Sequence, residues 1–435
     1  MPHNYWNPHV ELASQAELAE MQLKRLRHIL AYVNRYSSFY RSRFKELGLD
    51  PESVTSLSDL QKYPFTTKDD LRRHSYPNGG DFLCVPPNRV KLYHMTSGTT
   101  GNPQTGPYTD RDYQQWTDLM TRCCVAAGVK EGDVALNAFG YGLFTGGEGF
   151  HQGLRGAGAA VIPWSAGRTE GLVKTMKDFR ATVLSCTPSY ALYIAETAKK
   201  MGIDPAKELN VRLVLAGAEI WDEEVRRRIE EGFGLKERGG RAKNVYGATE
   251  MYGPGTGIEC ESDSGFHFWT DHFYLEVVDP ETLDPVSPGE TGEIVVTTLT
   301  KEAMPLIRYR TRDLTVVNQE ACDCGRSQFP RCMWVRGRLD DVIQYKGAKV
   351  WPSTIQETLL KFADVQEFQI IVDKSTMDYT FAINVELSDR ATEDTKERIS
   401  SELRKVLYVK FDIKFFPTGS LPRYEGKAKR VLVKT

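Results

Sequence analysis

Hydrophobic and polar positions follow two different rhythms along this chain. Between residues 11 and 47, Leu18, Met21, Leu26, Ile29 and Val33 recur at helical spacing, which predicts an amphipathic helix. The run Pro64-Phe65-Thr66-Thr67-Lys68-Asp69-Asp70-Leu71 gives a turn and a helix start, with Thr67 as N-cap. Val90-Lys91-Leu92-Tyr93-His94-Met95 reads as a strand. From about 110 to 220, helical stretches alternate with short β-rich runs at 133–137, 158–163 and 211–216. That alternation predicts α/β layers with a largely parallel sheet.

From 270 to 318 strands and turns take over. Phe273–Val278 and Glu293–Thr298 flank the turn-rich Ser287-Pro288-Gly289-Glu290-Thr291-Gly292, predicting an antiparallel β module packed on the α/β body. A boundary falls near Arg338-Leu339-Asp340-Asp341. The residues beyond it alternate strand, helix, strand, strand, helix, strand, a small α+β domain. The expected division is 1–338 and 339–435.

Composition adds exclusions. Hydrophobic residues make up 40% and charged residues 26%, ordinary for globular proteins. A net charge of -2 gives no reason to expect a nucleic-acid partner. No apolar run approaches the ~20 residues of a membrane span, and Met1–Trp6 lacks the pattern of a secretion signal. A cytoplasmic protein is expected, in which the eight cysteines are not disulfide-bonded. Cys84, Cys123, Cys124 and Cys186 lie in apolar stretches and read as core thiols. Cys260, His267, Cys322 and Cys324 form a Cys₃His set in which a structural zinc would staple two loops. Reduced thiols with a core histidine are the alternative. Cys332 and His272 are further candidates that this scheme leaves over.

Several segments suggest nucleotide chemistry. Thr96-Ser97-Gly98-Thr99-Thr100-Gly101-Asn102-Pro103 is a small polar loop whose N–H groups and hydroxyls can close around a polyphosphate. It is not a G-x-x-x-x-G-K-[ST] loop. In Asn244–Glu250, Tyr246 beside Gly247 can lie flat on a base, Thr249 can donate to a phosphate, and Glu250 can hold Mg²⁺. Leu215–Ile220 is a β-rich run ending in small residues, where a flat ring can slide against backbone. Asp313 sits among Arg308, Arg310 and Arg312, either as a surface salt-bridge cluster or as a carboxylate accepting both ribose hydroxyls. Near the C-terminus, Lys427 follows Gly426 in a segment able to reach into a phosphate site.

The order and spacing of these segments resemble the adenylate-forming superfamily of acyl-CoA synthetases, luciferases and adenylation domains. Within it the chain resembles the phenylacetate–CoA ligase family, over nearly its whole length. The closest marks are Phe65–Leu71, Tyr141–Gly147 and Thr298–Leu314. The resemblance implies two half-reactions, in which a carboxylate attacks Mg·ATP to give an acyl-adenylate and coenzyme A then displaces AMP. It implies that Ser97, Gly98, Thr99, Thr100 and Gly101 cover the β- and γ-phosphates, and that Thr249 contacts the α-phosphate. Gly217, Ala218, Glu219 and Tyr246 would frame adenine, Gly247 would belong to the same nucleotide site, Asp313 would bind ribose, and Lys427 would bridge the acyl carboxylate and α-phosphate in the first step only. Asp340 would be the hinge of a mobile C-terminal domain, and the enzyme a homodimer.

Where many superfamily loops carry lysine after Gly-x-Pro, this chain has Gln104 and Thr105. Lys68 is the candidate to supply that charge. Tyr141 and Phe144 are expected in an aromatic acyl pocket suited to an aryl or arylacetic acid. The alternative acceptors are a carrier-protein pantetheine or a deazaflavin, as in the F390 synthetase group. Some relatives lack the cysteines, so catalysis is not expected to need the zinc.

Overall fold

The computed structural model describes residues 4–96, 102–262, 265–318, 320–345, 348–374, 380–407, 409 and 411–434. The N-terminal helical stretch divides into Pro8–Glu11, Gln15–Tyr36 and Ser38–Glu46. Serines make the breaks. Ser14 forms a capping box with Glu17, and the Ser37 hydroxyl accepts from the Tyr40 N–H as the next helix begins. Thr67 caps Lys68–His74 in a capping box with Asp70, as its sequence predicts.

The large unit is built on one twelve-stranded sheet. Ala160–Ile162, Val134–Asn137, Val183–Cys186, Leu213–Gly217 and Arg241–Ala248 lie side by side and parallel. Successive residues point to opposite faces, and the two faces bury different cores. Val183, Leu213 and Leu215 belong to the core shared with helices Asp110–Ala126 and Thr145–Gly156, whereas Leu184, Val214 and Ala216 pack with helices Thr169–Asp178, Pro188–Lys200 and Glu223–Phe233.

The antiparallel module differs from expectation in one respect. It continues the same sheet instead of packing on it. Arg241–Ala248 reverses through the short turn Thr249–Met251 into Gly253–Glu259, which pairs antiparallel beside it. The strands of 266–338 extend the sheet from there.

The small unit opens with a hairpin, Ile343–Tyr345 and Ala348–Val350. Its own sheet has the order Asp412–Phe416, Thr380–Leu387, Val365–Asp373, Val431–Lys434. Helices Pro352–Leu360 and Glu393–Val406 complete a third core. The hairpin's second strand and Val431–Lys434 are additional to the six predicted elements. Val431–Lys434 runs parallel to Val365–Asp373, a pairing with no local sequence signature.

A buried ion pair fastens helix Asp110–Ala126 to the large sheet. Arg122 donates to both oxygens of Asp271 at 2.8 and 3.2 Å. His272 lies 3.4 Å from the same carboxylate. Burial pulls the His272 imidazolium down to about 4. Burial alone would raise the Asp271 carboxyl, but Arg122 and His272 bring it to about 2. Both groups bind protons more readily once unfolded, so the stability they contribute is complete above about pH 6.5 and is lost as the pH falls. The urea midpoint is expected to drop between pH 6.5 and 4, and His272→Gln to flatten that part of the profile. An identical slope in the variant would rule out His272 as its source.

Candidate active site

The carboxyl ends of the parallel strands Leu213–Gly217 and Arg241–Ala248 meet the small unit across a cavity of about 750 Å³. Ala218, Glu219, Tyr246, Gly247 and Asp313 line it from the large unit and Lys427 from the small one, with Arg338 and Asp340 between them.

Two glycines here answer to backbone crowding. A Cβ at Gly217 would stand 2.6 Å from the Val245 carbonyl, and one at Gly247 would stand 2.1 Å from the Gly253 carbonyl. The adjacent Ala218 takes φ 68°, a left-handed conformation that turns the chain sharply out of the strand.

Asp313 is buried on strand Tyr309–Asn318. Tyr309, Thr311 and Asp313 alternate on its buried face. Arg310 and Arg312 lie on the other and go to Glu293, while Arg308 pairs with Glu276. The cation beside Asp313 is instead Arg338, at 3.2 Å, and the Tyr246 hydroxyl donates to its other oxygen at 2.7 Å. Burial raises the Asp313 carboxyl above its ordinary range, with Arg338 opposing. One face of the Tyr246 ring stacks on Phe266, centroids 5.0 Å apart.

Thr249 and Glu250 occupy the turn after Ala248. The Tyr309 hydroxyl donates to Glu250 Oε1 at 2.8 Å, and Lys301 donates to the Glu250 carbonyl at 3.1 Å. Lys301 is wholly buried against the Tyr108 and Tyr252 rings, and this burial lowers its ammonium to about 8. The loop carrying Lys301 is fixed by Asp112, which accepts from the Glu302 and Ala303 N–H groups. Glu250 thus offers a positioned carboxylate oxygen of the kind Mg²⁺ prefers.

The phosphate loop Ser97, Gly98, Thr99, Thr100 and Gly101 lies outside the described residues. Its flanking strands, Leu92–Met95 and Thr105–Tyr108, form an antiparallel pair. Gly106 in that pair lies against Thr249, whose carbonyl would be 2.9 Å from an added Cβ. Lys68, the candidate to add charge to this loop, pairs with Asp340 at 3.0 Å.

Tyr141 and Phe144 lie outside the lining of this cavity, on the segment before helix Thr145–Gly156. That segment is tied to the phosphate-loop strands, because Met95 N donates to the Leu143 carbonyl at 2.8 Å. The half-buried Tyr141 accepts from Asn137 and pairs with His151, while Phe144 is 54% exposed.

Elsewhere, Cys260, His267, Cys322 and Cys324 converge, with all ligand atoms within 4.8 Å of one another. Cys260 and Cys322 sulfurs are 3.6 Å apart, and Cys324 sulfur is 3.2 Å from His267 Nε2. Hydrogen bonding from Cys260 and Cys324 draws the Cys322 thiol far below its ordinary range. His272 and Cys332 stand apart from this set. His272 is held by Asp271 and Thr300, and the Cys332 thiol is pushed up to about 12 by burial.

A cavity at the carboxyl edge of a parallel sheet, closed by a small second unit, is where an open α/β fold places a ligand. Residues 37–300 match the family described as AMP-binding enzyme, and residues 347–434 match its C-terminal domain. Phenylacetate-coenzyme A ligase of Thermus thermophilus is 40% identical, covering 98% of this chain and 99% of that protein. The Escherichia coli protein of the same name is 37% identical over 97% and 96%. A 2-hydroxyisobutyryl-CoA ligase structure in the postadenylation state has a TM-score of 0.90 at 27% identity, covering 99% and 92%. The same ligase in its thioesterification state gives 0.72, covering 98% and 92%. The chain belongs to the AMP-binding enzymes and, within them, to the phenylacetate–CoA ligase family.

The Arg338–Asp313 pair is directly testable. Arg338→Gln leaves Asp313 buried without its cation, raising its carboxyl further. AMP binding is expected to weaken by about ten- to a hundredfold, the scale of a hydrogen bond to a charged group, and to recover partly as pH rises. Wild-type affinity at every pH would contradict the pairing.

Proposed function

We propose that this protein activates an aromatic carboxylic acid, phenylacetate or a close relative, with ATP and transfers the acyl group to coenzyme A. The observation that carries the reading is the single cavity joining Tyr246, Asp313 and Lys427 from distant parts of the chain. The near full-length likeness to phenylacetate-coenzyme A ligases supports the choice of acid.

In the first step a carboxylate oxygen bonds to the α-phosphorus, and the bond to the β-phosphate oxygen breaks. Pyrophosphate leaves with the electron pair. Two anions must approach, so the site has to offset their repulsion with cations and N–H donors. In this reading Ser97–Gly101 cover the β- and γ-phosphates, and Thr249 contacts the α-phosphate. Gly217, Ala218 and Tyr246 frame adenine, Asp313 accepts the ribose hydroxyls, and Lys427 bridges carboxylate and α-phosphate. Glu250 would hold Mg²⁺, which supplies charge neutralisation on the phosphates. In the second step the sulfur of coenzyme A bonds to the acyl carbon, the bond to AMP breaks, and the thiol proton is lost.

The domain boundary is placed at 338/339, with Asp340 as hinge. Asp340 sits in the turn Leu339–Asp341 and is held by Lys68 and, at 3.8 Å, Arg312. Rotation about it would exchange these contacts. Tyr141 and Phe144 are assigned to the acyl pocket. A cytoplasmic homodimer is proposed, as the family resemblance implies. No helix among the described residues is long and apolar enough to cross a membrane.

The Cys₃His cluster is proposed to hold structural zinc. Tetrahedral zinc with Zn–S bonds of about 2.3 Å sets ligand atoms about 3.8 Å apart, close to the separations found. The second nitrogen of His267 lies 3.2 Å from the Phe329 carbonyl, an orientation that leaves Nε2 to the metal. The Cys322 loop also anchors Tyr5 and the first helix, since Tyr5 donates to the Cys324 carbonyl and Arg326 to Glu11.

Two measurements check these readings. Wild-type protein is expected to exchange labelled pyrophosphate into ATP only when an aromatic acid is present, and Lys427→Ala to lower that rate by at least about a hundredfold. Exchange that is indifferent to every acid would end the ligase reading. Purified protein is expected to carry one zinc per chain and to lose it in Cys322→Ser, with a lower unfolding temperature; metal-free protein of full stability would end the zinc proposal.

A further inference from the structure

The Glu219 carboxylate does not face the cavity as a free group. Its Oε1 accepts from the Ala428 N–H at 2.6 Å and from the Ser189 hydroxyl at 2.7 Å. Its Oε2 accepts from the Ser189 N–H at 3.1 Å. Ser189 is in the first turn of helix Pro188–Lys200, where backbone donors and the helix dipole favour an anion. Ala428 directly follows Lys427.

The rest of the Lys427 segment is fastened on both sides of that residue. Thr187 donates to the Gly426 carbonyl at 2.9 Å, and Thr169 donates to Glu425 at 2.6 Å. Arg423 reaches Glu196 at 3.3 Å. Lys427 itself stays exposed, lining the cavity between these fastenings. Thr187 directly follows the parallel strand Val183–Cys186, and Thr169 opens the helix that follows strand Ala160–Ile162. The segment is therefore seated on the same sheet edge that carries Ala218, Thr249 and Glu250.

We propose that Glu219 is a positioning residue that docks the Lys427 segment through the Ala428 N–H, favouring the arrangement that makes the acyl-adenylate over the one that makes the thioester. Thr187 is its neighbouring support. This rests on the ligase reading and on Lys427 acting in the first step. It departs from the expectation that Glu219 serves adenine. A charged acceptor at a helix N-terminus gives a strong but reversible docking point, which a unit that must leave again requires. Breaking these contacts raises the free energy of the first arrangement and leaves the second untouched.

The test separates the half-reactions in the full-length enzyme. Acid-dependent pyrophosphate exchange reads the first. Thioester formation from supplied phenylacetyl-adenylate and coenzyme A reads the second. ATP affinity is measured alongside. In Glu219→Ala and in the milder Thr187→Val, exchange is expected to fall by about tenfold or more in the first variant and less in the second, the scale of one charge-assisted hydrogen bond. Thioester formation is expected to fall far less, or to rise. Glu219→Gln, which keeps an acceptor oxygen, is expected to recover part of the exchange. Equal losses in both half-reactions would overturn the proposal, as would a fall in ATP affinity that accounts for the lost exchange. Wild-type enzyme active in neither half would instead overturn the ligase reading itself.

Discussion

Five strands that run in the same direction must all end on the same side, and the site depends on that constraint. Each strand of the parallel set delivers a short loop to one edge of the sheet. From those loops and the helix starts that follow them come Tyr141, Thr169, Thr187, Ser189, Ala218, Glu219, Thr249 and Glu250. Parallel direction is what gathers residues so far apart in sequence at one edge. The crowding at Gly217 and Gly247 is the local cost of bringing backbone so close at that edge.

Charge is then distributed by burial. Asp313, Glu250 and Lys301 are all buried beside the cavity or behind it, where an unpaired charge would be expensive. Each is held by a specific partner: Arg338 and Tyr246 for Asp313, Tyr309 for Glu250, the Glu250 carbonyl and two aromatic rings for Lys301. Lys427, by contrast, is exposed and lies on the small unit, on the segment held by Glu219. Buried charges on the sheet and an exposed one on the small unit fit the proposed reaction, in which repulsion between two anions must be overcome.

Much of this was legible in the sequence because its signals are local. A capping box at Thr67, alternating strands, small-residue loops and the two-thiolate turn Cys322-Asp323-Cys324 each occupy a few residues. What escaped is long-range. Asp313 lies among three arginines in sequence, yet strand alternation and Glu293 divert its neighbours, and its cation arrives from residue 338. The partner of Lys68, Asp340, lies 272 residues away. Lys301 carries no motif of its own, and only the fold puts it behind Glu250. The direction of the Glu219 side chain depends on a segment about two hundred residues away.

The central claim is that a carboxylate oxygen bonds to the α-phosphorus of ATP. Acid labelled with oxygen-18 in its carboxyl group tests it directly. Turnover with coenzyme A is predicted to deliver one labelled oxygen into AMP and none into pyrophosphate. Label found in inorganic phosphate with ADP as the nucleotide product, or AMP formed without label, would contradict the account.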